Sequence, residues 1–431
     1  MEQDAKRTRR SLLLCLLPWG YCAAATARYG YDAPYWDQWW KTPLVAKAFE
    51  GTLRVGDFWT LINEHRVFFP NLITVPIARI THWDLRVELG LTFGFATLAF
   101  CIVIFLFRRS ELHWPLPIAA VLFFSYSQHA VWMWSLHLMI TMTLLCLVGV
   151  VYLLACAPVR MSTLAAAAGL AIVASYSFGA GIIAWPLGVL LLAMRNEVPQ
   201  RALAILGWLG AASFTMIVYF IGYESTPANA SAYAAARHPF QFLLYEFAYL
   251  GSPVAGFSPA CAVVAGALGV LVAGWLAFRL FREAPAARIA ARPFWGLILA
   301  GILVAVLTGL KQSQEGIAQA VSSRYTTWPT LYWVGLLGLV ALRLRAEDDE
   351  RGYWNRNALR GVSGAILLLA TICSLYGTYR ADERHDAFLV GREALLEGRT
   401  DEDLLFLYPD IAVPEEMREV LIQYELSIFR K

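Results

Sequence analysis

Residues 87–107, VELGLTFGFATLAFCIVIFLF, decide the fold. A run of this length and apolarity is enough to cross about 30 Å of hydrocarbon as one helix. Arg108 and Arg109 close it. Similar runs recur from residue 11 to residue 377, in a chain of 431 residues that is 58% hydrophobic and 16% charged. Ordinary globular domains carry about a quarter charged residues, and the mean hydropathy here is +0.53. The pattern predicts an all-α, polytopic helical membrane protein. A net charge of +3 with no basic stripe outside the loops speaks against nucleic acid as a partner. The seven cysteines all lie in apolar segments without a CxxC pair, as small buried hydrophobes rather than a disulfide frame or metal site.

Working outward from that run gives about eleven spans. Residues 11–27 follow Lys6, Arg7, Arg9 and Arg10 and form an uncleaved first span, preferred over a signal peptide because more spans follow. Residues 28–86 form a long external loop. Within it Leu44, Val45, Ala48 and Phe49 share a helical face opposite Lys41, Lys47 and Glu50, and Gly51 stops that helix. Asp57 is placed to cap a second interfacial helix through Phe58, Trp59 and Ile62. Residues 113–157 predict a hairpin of two spans turning near Ser125 to His129. Residues 162–194 predict two short spans bending near Ser177 to Gly181. Further spans are expected at 202–222, 258–281, 294–310, 328–344 and 359–376, with external loops at 223–252 and 311–325. Arg343 and Arg345 join the other basic residues of the short connections, which puts the N-terminus in the cytoplasm and the C-terminus outside. Residues 1–379 form the membrane domain, and 380–431 a small, net acidic external tail.

The candidate chemistry lies in the loops. Tyr35-Trp36-Asp37-Gln38-Trp39-Trp40 puts an acid among indoles at head-group level, where low dielectric raises a carboxyl pKa and strengthens it as a base; the plain alternative is a helix cap in an aromatic belt. Asp57 has a sufficient role as a cap and is a weaker candidate. Asn63-Glu64-His65-Arg66 is a dense polar tetrad whose members, on a helix, point four ways. Glu64 or His65 suits proton transfer or metal ligation, and Arg66 suits a phosphate. Asp37, Asp57, Glu64 and His65 supply ligands for a divalent metal, although no spacing demands one. Ser322-Ser323-Arg324-Tyr325 places a guanidinium fork where a lipid phosphate lies. Glu224 and Glu246 are candidate sugar or peptide contacts. Tail residues Glu383, Arg384 and His385 form no motif.

On these residues the chain resembles the GT-C glycosyltransferases, polytopic enzymes that use polyprenyl-phosphate sugars, and in particular bacterial membrane proteins sharing W-D-x-W, N-E-H-R and S-R-Y. In that family a first span leads into a long external loop with an early catalytic acid and interfacial helices. The resemblance implies inverting glycosyl transfer in a bacterial inner membrane. Asp37 would be the base, Asp57, Glu64 and His65 would support it, and Arg324, Arg66 and Tyr325 would hold the donor phosphate. The partners implied are a polyprenyl-phosphate-linked sugar, a glycan, lipid or protein acceptor, and membrane lipids. No cofactor is required beyond a divalent metal, which stays open. The Asp-Glu pair of protein mannosyltransferases is absent, since Gln38 follows Asp37. The rival is a transporter or flippase, which would hold its ionisable groups near mid-membrane, often in internal repeats.

Overall fold

The computed structural model describes residues 2–198, 200–223, 232–346 and 353–431. Helices dominate, and a two-stranded hairpin is the one sheet among these residues. Seven helices among the described residues are long and apolar enough to cross a membrane, which marks a multi-pass membrane protein. The run that opened the reading is the helix Leu85–Arg109. The Asp84 side chain caps its start by accepting from the Arg86 amide at 3.0 Å, and Arg108 and Arg109 oppose its negative end.

Ser135–Cys156 and Thr327–Ala346 are the inner helices, 83% and 89% buried, whereas Arg201–Tyr219 and Pro259–Leu280 are only 22% and 28% buried. The outer helices turn Leu203, Leu206, Phe214, Leu268 and Leu271 outward, as lipid-facing surfaces do. Glycines set the tightest crossing. A Cβ at Gly251 would lie 1.9 Å from the Ala262 carbonyl oxygen, and one at Gly266 would lie 1.9 Å from that of Phe247. Helices Pro239–Ala255 and Pro259–Phe281 can therefore touch backbone to backbone.

Several expectations change. Of the eleven expected spans, seven coincide with helices that are long and apolar enough to cross a membrane among the described residues. Residues 162–194 do form two short apolar helices, Met161–Ser175 and Gly179–Ala193, with the break where it was expected. Leu116–Phe123 is only eight residues long, and the chain continues through short turns to Ser135. Short helical turns at Tyr126–Gln128, His129–Met133 and Ser135–His137 thus fill the stretch where a single turn was expected. The irregular backbone is tolerated because protein groups satisfy it: the Gln128 amide donates to the Phe123 carbonyl at 3.0 Å, and the Trp132 indole to that of Ser125 at 3.0 Å. The expected 223–252 loop contains the helix Pro239–Ala255, with Glu246 buried in it; Glu224 lies outside the described residues. The last of the long helices runs unbroken from Tyr353 to Glu397, through the position where the tail was drawn.

The two ends of the bundle differ. One gathers Arg7, Arg10, Arg345, Arg356 and Arg360. The other carries the 28–84 segment, the Ser313–Tyr325 connection and the C-terminal residues.

Candidate functional site

The site begins with a short 3-10 helix, Trp36–Lys41. With three residues per turn, positions i and i+3 share a face. Gln38 and Lys41 therefore point inward together, 1% and 4% exposed, while Asp37, half-buried, and Trp40, exposed, share another face. The inward pair meets a buried network. The Lys41 ammonium bonds to Glu88 Oε1 at 3.1 Å, and the Trp83 indole donates to the same oxygen at 3.2 Å. Ser135 Oγ donates to Glu88 Oε2 at 3.2 Å and accepts from the Gln38 amide at 2.6 Å. Lys41 was expected on the solvated face; its charge is buried instead because Glu88, 1% exposed, answers it.

The polar tetrad is a hairpin and not a helix. Leu61 pairs with Arg66 and Ile62 with His65, across a two-residue turn at Asn63 and Glu64. Both turn residues have positive φ, +45° and +65°, the geometry that matches the twist of the flanking strands. The Asn63 amide then reaches Asp37 Oδ2 at 2.5 Å. Glu64 accepts from the Lys311 ammonium at 2.9 Å. Asp57 also departs from its expected role. It lies inside the turn Val55–Phe58, bonded to the Arg54 amide at 2.6 Å and to Lys47 at 2.7 Å, and these partners hold its carboxyl below the usual range.

Each remaining candidate has a definite place. The His65 ring packs on Phe178 at 4.2 Å, and Phe178 stacks on Trp328. A Cβ at Gly179 would come within 2.6 Å of His65 Nδ1, so the ring needs that glycine. Burial, aided by Lys311, pushes the imidazole down to about 4, and it is neutral at physiological pH. Arg66 is 2% exposed and donates to the carbonyls of Tyr219, Trp59 and Ile221. It closes the carbonyl end of Arg201–Tyr219, a structural use that competes with the expected phosphate role. The Tyr325 hydroxyl donates to Gln312 at 2.6 Å and accepts from Gln319 at 3.2 Å.

Arg324 is exposed and lies 5.0 Å over the Tyr325 ring. No hydrogen bond or ion pair holds its guanidinium among the described residues. Its charge reaches Asp37: burial pushes the Asp37 carboxyl up, and Arg324, then the Asn63 amide, pull it back. Tyr35 and His137 also feel that charge. The structure thus gathers Asp37, Asn63, Glu64, His65, Lys311, Arg324 and Tyr325 from two loops far apart in sequence. Asp57 and Arg66 face other partners. Among the described residues no three His, Cys, Asp or Glu side chains group as a metal site would require.

Two groups escaped the sequence reading. Glu88 lies in the first turn of an apolar helix, and an acid in such a run is itself a signal. Arg384, on Tyr353–Glu397, donates to the Tyr35 hydroxyl at 2.7 Å, two positions before Asp37 in sequence. No local pattern marks that contact. Comparison of the chain with models of protein families, with curated proteins and with solved structures found no match.

Two outcomes follow from this geometry. Glu88→Ala leaves a buried ammonium unanswered and should cost about 3–5 kcal/mol in thermal or denaturant unfolding of the detergent-solubilised protein. Lys41→Met with Glu88→Leu should recover most of that loss. His65 is held neutral when folded but takes a proton near pH 6.5 when unfolded. Its contribution is therefore complete above pH 6.5 and is lost as pH falls from there toward 4. Between pH 7.5 and 5 the wild type should lose about 2 kcal/mol more stability than His65→Gln, compared by unfolding at both values.

Proposed function

We propose that this chain is a membrane glycosyltransferase of the GT-C kind, moving a sugar from a polyprenyl-phosphate donor onto an acceptor hydroxyl. The observation that carries the reading is a partly buried carboxylate, Asp37, that lies within reach of the charge of an exposed guanidinium, Arg324. The two come from segments nearly three hundred positions apart, at the end of the bundle away from the arginine cluster.

In this reading Asp37 Oδ takes the acceptor proton as the acceptor oxygen attacks the anomeric carbon. The bond from that carbon to the donor phosphate oxygen breaks, and the configuration inverts. The raised carboxyl pKa strengthens Asp37 as a base. A lipid phosphate departs as an anion and needs little protonation, so a single carboxylate suffices. Two-carboxylate hydrolysis differs in needing an acid to protonate a sugar oxygen. Arg324 neutralises the charge that develops on the phosphate. Asn63 orients the base, and Tyr325 supports the guanidinium. Neutral His65 and the Lys311–Glu64 pair form the wall beside them. The membrane in this reading is the bacterial plasma membrane, with the arginine-rich end in the cytoplasm and the site outside.

One observation favours the rival carrier reading. Glu246 is buried on Pro239–Ala255, and its Oε1 has no hydrogen-bond partner among the described residues. Buried acids in membrane helices commonly serve proton or ion pathways. Transfer of labelled sugar from a polyprenyl-phosphate donor panel separates the two readings. Asp37→Asn should lower turnover at least about a hundredfold with the fold intact, and Arg324→Ala should raise the donor KM. Full activity in the Asn variant would remove Asp37 from the chemistry. Substrate flux through proteoliposomes that depends on Glu246 but not on Asp37 would favour the carrier.

A further inference from the structure

The arginine-rich end holds a cavity of about 1110 Å³. Three helices turn cations into it. Arg7 and Arg10 come from Glu2–Tyr29, spaced i, i+3 on one face. Arg356 and Arg360 come from Tyr353–Glu397, spaced i, i+4. Arg345 comes from Thr327–Ala346, and His113 joins from the neighbouring turn. Among the described residues Glu111 is the one acid in the lining, and it bonds to Arg345. Arg345 also donates to the Ser110 carbonyl at 2.9 Å, and His113 shares a hydrogen bond with Thr8. These contacts hold Arg345 and His113 in the wall, and Arg7, Arg10 and Arg360 add their charges to the lining.

The same cavity has an apolar side, formed by Leu112, Trp114, Ile118 and Leu344. It sits where the charged ends of the helices give way to their apolar runs. One or two turns further along the first helix, Leu13, Leu16 and Leu17 are exposed. A soluble anion has no use for such surface. An amphiphile with a phosphate head and an acyl tail uses both, and basic pockets between membrane helices are known to take anionic head groups. Guanidinium forks match phosphate oxygens in pairs.

We propose that this cavity binds the phosphate head group of an anionic glycerophospholipid, at the end of the bundle opposite Asp37. The site is independent of the transferase reading and would serve a carrier equally. Its occupant ties the first helix to the last two near their charged ends.

Native mass spectrometry of the full-length protein, released from nanodiscs of equal phosphatidylglycerol and phosphatidylcholine, tests this. Wild type should retain phosphatidylglycerol in preference to phosphatidylcholine. Arg10→Gln with Arg360→Gln should lower the bound fraction about tenfold or more, and the Lys pair at the same positions should keep most of it. Should the double Gln variant fail to fold, Arg360→Gln alone should still lower retention severalfold. Millimolar inorganic phosphate or pyrophosphate should not displace the lipid. The chain also carries four acids at 347–350, between two of the lining helices. If they neutralise the cavity, wild type will show no lipid preference, and the proposal falls. Displacement by soluble pyrophosphate, or equal retention in the Gln variants, overturns it as well.

Discussion

A buried ion pair, Lys41 with Glu88, is the constraint on which the site depends. Neither charge can stay at 4% and 1% exposure without the other, because an unanswered ion in such surroundings costs several kcal/mol. Ser135, Gln38 and Trp83 complete the hydrogen bonds, so three remote segments are locked at one point. The pair also sets the phase of the 3-10 turn. With Lys41 and Gln38 committed inward, Asp37 falls on a different, half-buried face.

The C-terminal residues finish the same surface. The Trp36 amide donates to the Leu407 carbonyl at 2.7 Å, and Arg384 bonds Tyr35. The Ser427 amide meets the His82 carbonyl at 2.8 Å, and its hydroxyl meets that of Asp32 at 2.8 Å. Asp32 is further held by Arg86 and Arg392. The end of the chain thus clasps the loop that bears Asp37. Within this end Arg399 pairs with Asp403, and Arg430 reaches back to Asp84 at 2.9 Å.

Apolar runs and their caps made much of this legible. Leu85–Arg109 and Thr327–Ala346 agree with their sequence signals because span length and end charge are local properties. The helix Thr42–Glu50 and its Gly51 stop, at φ +74°, were legible for the same reason. What failed was non-local. A Glu with positive φ in a tight turn is uncommon, so Asn63-Glu64 carried no hairpin signal. Arg66 finds its carbonyls about 150 positions away, beyond any motif. Pro239–Ala255 contains Glu246 and Pro253 and reads as a loop until its burial is known. The partnership of Asp37 with Arg324 was expected from resemblance alone; their proximity belongs to the fold.

That proximity is the central claim, and the acidity of one carboxyl tests it most directly. Carbodiimide labelling of Asp37 as a function of pH, read by peptide mass spectrometry, reports its protonation at that residue. The account predicts an apparent pKa above the ordinary carboxylate value, rising further in Arg324→Gln as the opposing charge is lost. An Asp37 pKa that Arg324→Gln leaves unchanged would place the two groups in separate environments and contradict it.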